Sequence, residues 1–123
     1  MKKSGPTEGQ KPTALPAAAL HVLLAIGPGE RHGYAIMGEV RRITGGAVQM
    51  GPGTLYGTIK RLVANGLIEE SSGPRGAESD ERRRRYYRLT APGRAVAATE
   101  VEGLQSLLQR SGARTWALKR EPS

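Results

Sequence analysis

The sequence predicts a mainly α-helical fold with one small β-hairpin. Two patterns carry that expectation. Apolar residues recur at helical spacing in three short segments before residue 65 and again in a longer one after residue 90. Between them, two short strand-like runs flank a polar stretch containing Gly73, Pro74 and Gly76, the pattern of a hairpin with a long tip. Composition bounds the interior. There is no cysteine, and four Tyr and one Trp with no Phe supply the aromatics, so Ala, Leu, Val and Ile must build the core. Hydrophobic residues make up 37% of the chain, and a folded unit of ~80 residues with such a core is only marginally stable alone. Burying a further apolar face in a dimer would offset that.

The elements follow in order. Residues 1–13 hold Lys2, Lys3, Gly5, Pro6, Gly9 and Pro12, little that can bury surface, and are expected to form a disordered basic arm. The first helix starts near Thr13 as N-cap with Pro16 in its first turn, and Gly27-Pro28-Gly29 stops it. Leu15, Ala19, Val22, Leu23 and Ile26 keep its helical period. The second helix runs from Arg31 or His32 to Thr44, with Ile36, Met37, Val40 and Ile43 inside and Glu39, Arg41 and Arg42 outside, and Gly45-Gly46 ends it. Residues 47–50 make a short extended link. The third helix opens at Gly51-Pro52-Gly53-Thr54, buries Leu55, Ile59, Leu62 and Val63, and closes at Asn65-Gly66. Residues 67–70 and 84–89 read as the paired strands. Thr90 caps the fourth helix, and Ala97, Val101, Leu104 and Leu108 give it a heptad-like seam that ends at Ser111-Gly112. Three helices, a hairpin and a further helix make a winged helix-turn-helix with a C-terminal dimerisation helix. The expected organisation is an arm at 1–13, a winged helix-turn-helix DNA-binding domain at 14–90, a dimerisation helix at 91–112 and a flexible tail at 113–123.

Charge points to the partner. The net charge is +8 and the pI about 10.4, which favours a polyanion. A helix entering the major groove of double-stranded DNA needs small residues for close approach, and hydroxyl, amide or basic groups aimed outward. Gly53, Thr54, Tyr56, Gly57, Thr58, Lys60 and Arg61 on the third helix meet that need. The hairpin adds Arg82 to Arg85 and Arg88, partly offset by Glu78, Asp80 and Glu81. Neighbours in a strand point to opposite faces, so Arg83, Arg84, Arg85, Tyr86 and Arg88 can reach phosphates in two directions. Of Tyr86 and Tyr87, one should pack under the third helix and the other can donate to a phosphate. A solvated surface helix and a solvated charge run are the plain alternatives, and it is their conjunction that favours DNA. Two isolated histidines and no cysteine argue against a metal site, and no cofactor is expected. No nucleophile–base set or carboxylate pair is visible, so an enzyme is not expected. No apolar run approaches the ~18 residues of a membrane span, and a cytoplasmic protein is expected.

His32-Gly33-Tyr34, Gly51 to Tyr56, Leu62 to Ile68 and Tyr86 to Gly93 together resemble the PadR family of bacterial transcriptional regulators, over about residues 15–108. The resemblance implies a homodimeric winged-helix protein, usually a repressor, on inverted repeats in promoters, with a small-molecule effector as a further expectation. It places Thr54, Tyr56, Thr58, Lys60 and Arg61 at the DNA, with backbone N–H contacts at Gly51 or Gly53. It implies that Tyr34 helps hold the second helix to the third, its hydroxyl near the phosphates. It pairs the fourth helix with the partner's first, which makes Leu15, Ala19, Val22, Leu23, Ala97, Val101, Leu104 and Leu108 the expected dimer interface. The wing is longer and richer in arginine than the family pattern, and the arm and the Trp116 tail lie outside it. Trp116 is a candidate stacking surface for a planar ligand, set against a plain packing role. A basic RNA-binding or ribosome-associated protein is the alternative of another class, which would need exposed strand aromatics. A winged helix recruited for protein interaction is a third reading.

Overall fold

The computed structural model describes residues 15–73 and 85–118. The expected basic arm, Thr13, Arg83 and Arg84 lie outside the described residues. Helix α1 (Ala17–Ile26) is followed by strand β1 (Glu30–His32), helices α2 (Gly33–Ile43) and α3 (Pro52–Ala64), strands β2 (Ile68–Ser71) and β3 (Tyr86–Leu89), helix α4 (Ala91–Ser111) and one short turn of helix, α5 (Ala113–Trp116). This is a mostly helical winged helix with a small antiparallel sheet. No helix among the described residues is long and apolar enough to cross a membrane.

Helix α1 is apolar on nearly every side, and its Val22, Leu23, Ala25 and Ile26 are buried. A helix of that kind belongs in the centre of a fold. It packs against α2, α3, α4 and β3. Ile36 and Val40 of α2, Leu55, Ile59 and Leu62 of α3, Met50, Ile68 and Tyr87 complete the core. Pro16 occupies the N-cap of α1, one position before its expected place in the first turn. Ile43 and Val63, expected inside, are exposed.

The hairpin is in fact part of a three-stranded sheet of order β1-β3-β2. Residues 30–32 pair with β3 in the register Glu30–Arg88, Arg31–Tyr87 and His32–Tyr86, so Arg31 and His32, the expected start of the second helix, lie in a strand. Strand β2 pairs on the other side, placing Glu69 beside Arg88 and Glu70 beside Tyr87. Strand β3 is therefore central, which decides the fate of its tyrosines.

One joint ties the wing to α4. The Thr90 hydroxyl accepts from the Gly93 N–H at 3.0 Å and donates to the Gly66 carbonyl at 2.6 Å, while the Thr90 N–H donates to the Leu67 carbonyl. Gly93 sits so close that a Cβ there would collide with the Leu67 carbonyl oxygen and lie 2.9 Å from its carbon. The Arg94 guanidinium donates to the Pro28 carbonyl at 3.2 Å. Beyond Val101, α4 leaves the body of the domain, and Leu104, Leu107 and Leu108 are exposed.

Candidate nucleic-acid interface

Helix α3 begins at a Gly51 N-cap with Pro52 in its first turn. Its inner stripe is Leu55, Thr58, Ile59 and Leu62. At 3.6 residues per turn, Thr58 and Ile59 lie about 60° and 40° to either side of Leu55, whereas Val63 lies about 80° away. Position thus outranks polarity. Thr58, expected at the DNA, is 1% exposed, and its hydroxyl has no hydrogen-bond partner. The outward strip consists of Gly53, Thr54, Tyr56, Lys60 and Arg61, all exposed, with Gly57 half-buried between them. Among the described residues, neither Lys60 nor Arg61 pairs with a carboxylate.

Tyr56 is braced from behind. Its phenol end lies against the backbone of Gly33, where a Cβ would collide with Oη and stand 2.7 Å from Cζ. The neighbouring His32 caps α2, its Nδ1 accepting from the Ala35 N–H at 3.2 Å. The His-Gly-Tyr segment thus starts α2 and seats Tyr56. Tyr34 does not hold α2 to α3 as expected; it is 70% exposed at the start of α2, and the contact between the two helices there is made by Gly33 and Tyr56.

The wing supplies part of what was expected. Arg85 joins Tyr56, Lys60, Tyr87 and Glu70 around a cavity of about 230 Å³ between α3 and the sheet. Its guanidinium pairs with Glu70 at 2.8 Å. Arg88 projects from the other sheet face, beside Tyr86 rather than Tyr87, and pairs with Glu69 at 2.8 Å. Both strand tyrosines are buried. Tyr87 packs under α3, as one of the two was expected to do. Tyr86, expected at a phosphate, instead packs edge-on against His32 with ring centres 5.4 Å apart, over Gly73. The unforeseen strand β1 is the reason, since it covers the side that a two-stranded hairpin would leave open. Among the described residues the sheet therefore presents no exposed aromatic on which a base could stack. Burial first, then the Glu70 carboxylate, pushes the Tyr87 phenol above its ordinary range, so it stays protonated. On α2, the Arg42 guanidinium donates to Glu39 at 2.6 Å and holds that carboxyl below its ordinary range.

The expected dimer residues divide. Val22 and Leu23 are wholly inside the chain's own core and Ala19 nearly so, so they offer no surface to a partner. Leu15, Ala97 and Val101 are half-buried, and Leu104 and Leu108 are exposed. On α1, Leu24 is the exposed large apolar residue. Trp116 is 68% exposed, its indole N–H donating to the Ser111 carbonyl at 3.3 Å.

A model described as the transcriptional regulator PadR-like family matches residues 22–99, more than half of the chain. The chain is 35% identical over 91 residues to the transcriptional regulator Rv3488 of Mycobacterium tuberculosis, over 74% of this chain and 78% of that protein. It is 32% identical over 93 residues to an uncharacterised 37.1 kDa protein in transposon TN4556 of Streptomyces fradiae, over 76% of this chain and 24% of that longer protein, so it matches about a quarter of that relative. Among solved structures, a transcriptional regulator from Clostridium thermocellum is similar with a TM-score of 0.58 and 26% identity, over 80% of this chain and 91% of that one. With the winged fold and the outward strip of α3 in place, the family match leads to one conclusion: the chain belongs to the PadR-like family of transcriptional regulators.

Proposed function

We propose that the protein is a homodimeric repressor that reads an inverted-repeat operator in double-stranded DNA and is released by a small-molecule effector. The observation that carries the reading is the outward strip of α3. Thr54, Tyr56, Lys60 and Arg61 are exposed around two small glycines, with Tyr56 braced by Gly33 and Arg85 beside it. Small residues let the helix approach base edges, and unpaired cations meet the phosphates. The dimer rests on α4. A helix of 21 residues with exposed Leu104, Leu107 and Leu108 gains stability by covering that face, and Leu24 of α1 extends the same argument to a partner. Two copies of α3 would then address successive major grooves ~34 Å apart.

Fluorescence anisotropy of the full chain with a duplex carrying its own upstream region, against a scrambled duplex, tests the reading across a salt series. Neutralising ~6–10 phosphates should weaken binding about 10³–10⁵-fold between ~50 and ~200 mM salt. A strong preference for the native duplex supports the reading. Equal binding to both duplexes, or tighter binding to RNA, overturns it.

A further inference from the structure

Lys60 and Arg61 are both exposed and pair with no carboxylate among the described residues, yet their places on α3 are not equivalent. The buried stripe of Leu55, Thr58, Ile59 and Leu62 fixes the inner side of the helix. At about 100° per residue, the direction opposite that stripe passes about 30° from Lys60, while Tyr56 and Arg61 lie about 70° to either side of it. Gly53, Gly57 and Ala64 share the outer pole with Lys60, which is therefore the one long side chain there. The flanks also differ. Tyr56 and Arg85 line the cleft between α3 and the wing, and Arg61 lines a cleft with Leu15 at the start of α1. The described fold does not ask for the two glycines. Neither has a positive φ, and a Cβ at either would meet no neighbouring part of the described chain within 4 Å. Gly33 and Gly93 differ, since a Cβ there would collide. Glycine weakens a helix relative to alanine, so what a methyl group at Gly57 would obstruct lies outside the chain.

We propose that Lys60 is the side chain that reads a base, and that the base is guanine. The inference rests on the proposed role of α3 at DNA. The major groove has a floor of base edges between two phosphate walls. A helix lying in it turns its outer pole to the floor and its flanks to the walls. Bare backbone at Gly53 and Gly57 brings the helix axis close to the floor, and Lys60 spans the distance that remains. An ammonium group donates and never accepts. Guanine alone presents two acceptors and no donor in the major groove, through O6 and N7. Adenine and cytosine each expose an amino donor there, and thymine offers a single acceptor. Tyr56 and Arg85 then meet one phosphate wall and Arg61 the other, contacts that position the helix but carry no sequence information.

The test is selection by the full chain from duplexes randomised over about 20 base pairs, enough for two half-sites one helical turn apart. Wild type, Lys60→Arg and Arg61→Ala should each enrich a G·C pair at one position of the half-site, and Lys60→Ala should lose that preference. In anisotropy on the selected duplex, replacing the pair by A·T should weaken wild type about tenfold and Lys60→Ala less than about twofold. Arg61→Ala should weaken binding to both duplexes by the same factor and lower the salt slope by about one. Gly57→Ala should raise the melting temperature by about 4–8 °C and yet weaken binding about threefold or more, opposite signs that a purely structural role would not produce. A wild-type motif without the G·C pair overturns the assignment and leaves the DNA reading standing. So does a guanine preference that survives Lys60→Ala, or one that is lost in Arg61→Ala instead. Wild-type affinity in Gly57→Ala overturns the close approach of the helix backbone. Selection of no sequence by the wild-type chain overturns the DNA reading and the assignment together.

Discussion

Replacing Gly33 with alanine should weaken DNA binding tenfold or more while leaving the fold nearly as stable as before. The added Cβ would collide with Tyr56 Oη and stand 2.7 Å from Cζ, where ordinary contact begins at 3.4 Å, so Cζ must retreat by at least 0.7 Å. The obstructing atoms are the far end of a half-exposed side chain, not backbone, so the ring can swing outward. An off-rotamer χ costs about 0.5–1.5 kcal/mol. Alanine is favoured over glycine in a helix by up to about 1 kcal/mol. The two nearly cancel, and the net change in stability should stay within about 1 kcal/mol. The outward strip of α3 proposed to meet DNA has no such compensation. A contact group must be held to within ~0.5 Å to work, and one hydrogen bond to a phosphate contributes about 1.5–3 kcal/mol, a factor of about ten to a hundred in affinity. The assay is anisotropy on the preferred duplex for wild type, Gly33→Ala, Tyr56→Ala and the double variant, at one salt concentration, with thermal melts of each. If Gly33 acts through Tyr56, adding Gly33→Ala to Tyr56→Ala costs nothing further. Wild-type affinity in Gly33→Ala, or losses that add in full, would refute the reasoning.

Four further outcomes can be checked alongside. Glu70→Gln frees Arg85 beside Tyr56 and Lys60, and should tighten DNA binding about threefold and steepen the salt slope by about one, whereas Glu69→Gln frees Arg88 on the other sheet face and should change little; equal effects in the salt series would contradict the assigned faces. Gly93→Ala drives a Cβ into the Leu67 backbone, which has no side-chain freedom to yield, and should cost about 3 kcal/mol in urea unfolding. Leu104→Glu with Leu108→Glu should leave a folded monomer in sedimentation, and a folded dimer would place the interface elsewhere. The folded-state pKa of Tyr87 lies above its unfolded value, so its contribution to stability is intact below about pH 10 and is lost as pH rises through the raised folded value; Tyr87→Phe should remove that alkaline loss in melts followed from pH 8 to 12.

Caps and breakers made most of the helix boundaries legible. Gly51-Pro52 opens α3, Asn65 and Gly66 close it, and Thr90 caps α4 with Pro92 in its first turn. Strand β1 was not legible, because Glu30-Arg31-His32 has no alternation of apolar residues and pairs only through partners more than fifty positions away. Missing it misplaced Tyr86. Thr58 misled in another way: its hydroxyl suggested the outer face, while its angular position on α3 required the inner one. In α1 the apolar residues run around the whole helix, so periodicity could not separate core from interface, and Val22 and Leu23 fell to the core. The arginines of the wing were visible in the sequence, but Glu69 and Glu70 became their partners only once the strand register was known.

The joint between wing and α4 constrains how any effector could act. Thr90 and Arg94 bond to backbone carbonyls at Gly66, Leu67 and Pro28, and Gly93 packs on Leu67 without space for a methyl group. Bending at this joint would break several hydrogen bonds at once, so the first part of α4 moves with the winged domain as one body. In the proposed dimer, the distance between the two α3 helices then changes at the seam beyond Val101, where residues 102–111 of α4 are exposed. An effector at the seam changes the spacing of half-sites and should discriminate between operators of different spacing. An effector that acted within one winged domain would disable each half-site separately and should weaken a single half-site as much, per site, as the full palindrome. Comparing half-site and full-site duplexes with and without the effector distinguishes the two, because only the first depends on the linkage between copies.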